Sequence, residues 1–204
     1  MSLDPMCCKR MALAALLAFP ACSRREAEPA PDAFALPAAE ALARARHVAD
    51  TMTADLRTRV FAELQRAGPA AAMAVCADSA QAVTARHARA GVTVRRVSDR
   101  FRNPANRPDA YESDWLGRLD SLRAAGALPV EVVDTVVDDR GRALRYLRPV
   151  LVAEPCLACH GDRAAIQPAV LSLLDARYPQ DRATGYHAGE LRGAVSVRVP
   201  VQPE

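Results

Sequence analysis

Apolar positions recur along this chain in helical spacing first and in strand-like runs later. Between Pro37 and Arg66 there is no Pro or Gly, and Leu42, Ala45, Ala49, Met52, Leu56, Val60 and Leu64 step by three or four. That spacing draws one stripe along a long amphipathic helix, which Gly68-Pro69 ends. Ala70 to Ala90 reads as a second helix, with Met73, Cys76, Ala80, Val83 and His87 on one side and Gly91 as its stop. Val92 to Val97 is a short strand. Arg102 to Asp109 has the composition of a structured loop, and Asp109 can cap a helix from Ala110 to Ala125. The β-branched run Val130 to Val137 and the apolar run Ala143 to Val152 flank Asp138-Asp139-Arg140-Gly141, the turn of a hairpin. Pro168 to Arg177 is a short helix, and Gly193 to Val201 an alternating strand. No internal repeat is present. Helices come first and a small antiparallel sheet later, so the predicted class is α+β.

The N-terminus follows a different rhythm. Lys9 and Arg10 precede the apolar run Met11 to Phe19, and small residues lead to Cys22. A positive segment, a short apolar one and a small-residue cleavage site make a signal peptide over 1–21. A small residue directly before a cysteine resembles a bacterial lipobox, although Phe19 replaces its usual Leu. Cys22 is therefore the expected lipid anchor, against the plainer reading of an ordinary cleaved signal with an incidental cysteine. Residues 22–36, rich in Ala, Pro and Glu, read as a flexible tether, and 37–204 as the folded domain. The expected location is the periplasm, with the membrane reached only through the lipid.

The 204 residues carry 27 basic and 24 acidic side chains, for a net charge of +3. Charged residues at 25% with half the chain apolar exclude wholesale disorder. The balance leaves no cationic surplus of the kind that nucleic-acid binding uses. No apolar run reaches the roughly 18 residues of a membrane span. Of 6 cysteines, cleavage before Cys22 removes Cys7 and Cys8, and acylation consumes Cys22. Cys76, Cys156 and Cys159 remain, an odd number for an oxidising compartment.

Cys156-Leu157-Ala158-Cys159-His160 carries the chemistry. C-x-x-C-H is the attachment signature of c-type haem. Thiols three positions apart reach both vinyl groups on one porphyrin edge, and the adjacent imidazole falls under the ring to ligate iron. Three other readings fit less well. A thioredoxin-like pair needs a strand feeding a helix in a βαβ setting, which is missing here. Zinc needs a second Cys/His pair at suitable spacing. A plain structural disulfide leaves His160 unexplained. One covalent haem leaves a second axial position, for which Cys76, Met73, Met52, His47, His87 and His187 are candidates, or which stays open for water or a gas. Cys76 accounts for the odd cysteine, whereas a buried small hydrophobe is what a free cysteine usually is.

Longer stretches carry a resemblance. They are Ala70 to Cys76; Arg96-x-Ser98-x-x-x-Arg102-Asn-Pro-x-Asn106-x-Pro-Asp109; Arg145-Tyr-x-Arg-Pro149; Cys156-x-x-Cys-His-Gly161; and Tyr178-Pro-x-Asp181-x-Ala-Thr-Gly-Tyr186-x-x-Gly-x-x-Arg-Gly-Ala194. In order and spacing, 68–204 resembles an exported single-haem domain family of bacteria and cyanobacteria, long catalogued as a domain of unknown function. The resemblance implies a PAS-like antiparallel sheet flanked by helices and a six-coordinate haem. His160 would lie on one side of the iron and Cys76 on the other. Arg148 falls where the family often has lysine, so a role near the haem propionates is kept. Arg96 and Arg102 suit carboxylates in the same way, or are ordinary ion pairs. Met73, Tyr146 and Tyr186 either line the pocket or belong to the core.

Two functions follow from this reading. One is a redox or ligand-responsive haem sensor. A thiolate opposite His160 favours ferric iron, and its loss on reduction would admit Met73, His87 or a diatomic gas. Nothing in the chain reads as a kinase, cyclase or receiver, so a redox or signalling protein in the periplasm would receive the output. The other is a single-haem electron-transfer cytochrome. A peroxidase needs an open iron position that a Cys76 ligand would fill, so no enzymatic activity is expected.

Overall fold

The computed structural model describes residues 34–203. The expected signal peptide and Cys22 lie outside the described residues. The first element, α1 (Ala38–His87), is one helical path bent at Gly68, whose φ of 81° and ψ of −177° are not helical. Glycine reaches that conformation without the penalty of a Cβ, and Pro69 has no N–H to bond back across the bend. The two helices expected from the sequence are thus two arms of one element.

Four strands form the sheet: β1 (Thr93–Val97), β2 (Val132–Asp138), β3 (Gly141–Leu151) and β4 (Leu191–Pro200). All pairs are antiparallel, in the order β1-β4-β3-β2. The last strand therefore inserts between β1 and β3, and β4 is buried along nearly its whole length. Period-two alternation gives each face its own partner. Ala41, Ala45, Val48, Ala49 and Met52 of the first arm pack on Val94, Leu144, Tyr146, Val195, Val197 and Val199. On the other face, Leu116 and Leu119 of α2 (Ala110–Ala124) pack on Val97, Leu147 and Ala194. Asp109 caps α2 through a capping box with Glu112, as the sequence predicts for Asp109. Arg145, directed to that same face, donates to Asp109 Oδ2 at 2.8 Å and lies 3.4 Å from buried Glu112.

The connection from β3 to β4 carries the one-turn helix α3 (Leu157–His160) and α4 (Pro168–Arg177). Val170 and Leu174 of α4 pack against Met73 of the second arm. This is the α+β class that the element order predicts, in the PAS-like arrangement of a sheet flanked by helices that the resemblance implies. Among the described residues no helix is long and apolar enough to cross a membrane.

Candidate cofactor site

A cavity of about 260 Å³ opens between the two arms of α1, the ends of β1 and β4, and the chain that leaves β3. Leu56, Val60, Phe61 and Leu64 of the first arm line it. The apolar stripe of that arm therefore has two uses: its first half covers the sheet, and its second half runs past the sheet into the cavity. Met73 and Cys76 face it from the second arm, and Cys156, Cys159 and His160 from α3 and the turn before it.

One helical turn places the motif. Cys156 stands just before α3, so Cys156, Cys159 and His160 are at positions i, i+3 and i+4, which share a face. Both thiols are free and half-buried, and burial pushes the Cys159 thiol up. Two hydrogen bonds and a ring contact fix His160. Its Nδ1 lies 2.7 Å from the Ala183 carbonyl, its own carbonyl accepts from Tyr186 N at 2.9 Å, and its ring meets Tyr186 edge-on. Burial, with Arg192 and Arg102 nearby, pushes the imidazole well below its usual range, so it is neutral. Nδ1 then donates to Ala183, and Nε2 keeps its lone pair. A histidine metal ligand held through its other nitrogen by a carbonyl has this arrangement.

Arg102 braces the motif. Its Nε pairs with Asp181 at 3.1 Å, and one terminal nitrogen donates to Cys159 O at 2.6 Å and Ala183 O at 3.2 Å. The other terminal nitrogen donates to Met73 Sδ at 3.6 Å. Arg102 thus joins the second arm, the cysteine turn and the loop before β4. Its fork is already committed to the protein.

The other sequence candidates divide. Arg96 lines the cavity, and its Nε is buried with no hydrogen-bond partner. Arg148 is on the same sheet face, in register with Val195, but turns away from the cavity. It bonds Tyr146 Oη through Nε at 2.8 Å, pairs with Asp50, and approaches Glu131. Tyr146 is fully buried and donates to Glu131 at 3.0 Å. Tyr186 supports His160 from outside the cavity lining, with the Arg100 guanidinium 3.8 Å from its ring centre. Among the alternative axial donors, Met52 and Met73 line the cavity. His47 and His87 belong to a separate surface cleft, and His187 is exposed beside Glu190. Arg192 and Thr53 line the cavity and were not singled out by the sequence. Arg192 stands inside a matched stretch, which was the available signal; Thr53 lies off the apolar stripe and gave none.

The residues fit a c-type haem. There are two free thiols on one helical turn, a neutral imidazole with one nitrogen unbonded, sulfur donors on the opposing arm, and a cationic group without a partner. Fold and site define a small α+β domain that presents a cysteine–histidine turn to an apolar cavity. The chain belongs to the Tll0287-like family, whose model matches residues 35–200 and so takes in both arms of α1. It is similar to the crystal structure of the cyanobacterial heme-protein Tll0287, with a TM-score of 0.54 and 25% identity. That likeness covers 76% of this chain and 93% of the other. No curated protein matches.

Proposed function

We propose that this chain binds one haem covalently through Cys156 and Cys159, with His160 and Cys76 as axial ligands, and serves as a redox or ligand-responsive sensor module. Haem binding is supported by the family, by the neighbour described as a heme-protein, and above all by His160, which meets the cavity with its Nδ1 already bonded to Ala183. The haem would supply a one-electron centre whose axial ligands set its potential. The chain's part is to hold the imidazole neutral and oriented, to set Cys76 on the opposing arm, and to keep the cavity apolar. Met73 and Met52 stand on the same walls as further sulfur donors, which suits a ligand set that changes with oxidation state. The same reading has the chain exported to the periplasm, anchored through Cys22, without enzymatic activity, and passing its state to a redox or signalling protein.

The test is an absorption and EPR series on periplasmically matured protein, ferric and then ferrous, beside Cys76→Ala. A low-spin ferric signal of thiolate character, lost in the variant and replaced on reduction, is expected. An unchanged spectrum in Cys76→Ala would overturn Cys76 as a ligand, and absence of covalent haem would overturn the whole reading. A single-haem electron carrier is the second reading. Leu151 favours it, since this lining residue is 44% exposed and the cavity reaches solvent beside it. That carrier would keep one ligand set in both oxidation states and bind neither CO nor NO.

A further inference from the structure

The cavity holds more positive charge than its walls explain. Arg57, Arg96, Arg102 and Arg192 line it, and no Asp or Glu is among the lining residues. Arg102 is neutralised by Asp181 beneath the wall, and Arg57 lies against the Phe61 ring. Arg96 has neither an ion pair nor a ring beneath it, and Arg192 has no ion pair but lies 5.5 Å from the centre of the Tyr186 ring. Arg96 Nε is buried without a partner, and so is Thr53 Oγ1 on the first arm. The hydrogen bonds of Arg192 use one terminal nitrogen only, which donates to Ser98 Oγ at 2.9 Å and to Arg100 O at 3.1 Å. Both arginines and Thr53 are half-buried, and withdrawing their polar atoms from water without a partner carries a free-energy cost. An anion between the two guanidinia removes that cost, and a carboxylate matches their planar forks.

We propose that Arg96, Arg192 and Thr53 form a carboxylate subsite in the cavity wall that receives the acidic side arms of its ligand. With the haem reading above, on which this rests, those arms are the two propionates. Sheet register gives the site its place: Arg96 pairs with Val195, and Arg192 precedes Gly193 and Ala194 on the same strand, so both heads emerge at the end of the β1–β4 pair. The role expected of Arg102 and Arg148 passes to Arg192, because the first two already spend their donors on the protein.

The full chain made in the cytoplasm, where haem is not attached covalently, is titrated with haemin and with haemin dimethyl ester, whose carboxylates are capped. The wild-type chain is expected to prefer haemin by about a hundredfold, as two charge-assisted contacts imply. Arg96→Gln and Arg192→Gln should each remove about tenfold of that preference while leaving affinity for the diester unchanged. Thr53→Val should remove about threefold, as one neutral hydrogen bond implies. Equal affinity for both ligands in the wild type, or an intact preference in both arginine variants, would overturn the subsite alone. Binding of neither ligand would overturn the haem reading with it. Succinate competing with haemin but not with the diester would reassign the subsite to free dicarboxylates. A second readout needs no ligand: Arg96→Met should raise the melting temperature of the unloaded chain, because it deletes a half-buried charge whose Nε has no partner. A lowered melting temperature would show that Arg96 is structural and overturn its place in the subsite.

Discussion

Removing the Arg102 side chain should unfold this domain more readily than removing any surface arginine. Arg102 and Asp181 are 8% and 6% exposed, and their ion pair measures 3.1 Å. Breaking a buried pair by deleting one partner costs about 3–5 kcal/mol, since the other charge is left in low dielectric. Arg102→Leu also strips a donor from the Cys159 carbonyl. Two contacts soften the loss: Asp181 Oδ1 still accepts from Ala183 N at 2.8 Å, and Ala183 O keeps His160. The expected cost is therefore at the low end, about 3 kcal/mol. In a urea titration with a slope of about 2 kcal/mol per molar, the midpoint should fall by about 1.5 M. The double variant Arg102→Leu with Asp181→Leu should recover part of the loss, because no unpaired charge remains. A midpoint change below about 0.3 M for Arg102→Leu, or a double variant as unstable as the sum of the singles, would refute this account of the pair.

Two glycines separate backbone strain from steric exclusion. At Gly68 a Cβ meets nothing within 4 Å, so Gly68→Ala carries only the cost of a positive φ with an extended ψ, about 1–3 kcal/mol, or roughly 5 °C in melting temperature. At Gly193 a Cβ would lie 2.1 Å from the Val97 carbonyl oxygen at a φ of 146°, so Gly193→Ala should cost at least about 3 kcal/mol and roughly 10 °C; equal shifts would contradict the distinction. Burial and the hydrogen bond to Glu131 push the Tyr146 hydroxyl up to about 12. The folded state then holds that proton longer than the unfolded one, so the contribution is whole below the ordinary tyrosine value of 10.0 and lost as pH rises from there to about 12. Chemical denaturation across that range should show a falling slope that is shallower in Tyr146→Phe, and identical slopes would refute it.

The helical and hairpin segments were legible because each repeats a local rule. The stripe from Leu42 to Leu64, the Asp109 cap and the Asp138–Gly141 turn are written in neighbouring residues, and each lies close to its expected bounds. Cys156, Cys159 and His160 were legible because a single helical turn sets their geometry. Strand order was not: nothing local says that β4 inserts between β1 and β3. The arginines show the same limit. Arg96, Arg102 and Arg148 look alike in sequence, yet one has an orphaned nitrogen, one clamps two carbonyls and one joins Asp50 and Tyr146. Which partner each finds depends on contacts across long separations, such as Arg102 with Asp181.

Gly68 links the fold to the site. A straight helix rises about 1.5 Å per residue, so Cys76 would stand roughly 36 Å beyond Met52 if α1 did not bend. Both residues line one cavity, and His87, near the end of the second arm, lies 3.0 Å from Asp55 on the first. The arms therefore fold back on one another, and the bend at Gly68-Pro69 is what sets Cys76 opposite the cysteine–histidine turn. That return is held by the His87–Asp55 pair, the packing of Met73 on α4, the Arg102 brace, the Gln81–Asn106 hydrogen bond and the Arg177–Asp78 ion pair. A ligand joined both to the 156–160 turn and to Cys76 would add a bond across the same gap. It would stabilise the closed arrangement by mass action and couple the position of the second arm to whatever holds Cys76. On the proposed ligation, a change of axial donor at Cys76 would also change how firmly one arm of α1 is held, and a partner of the proposed kind would read that change.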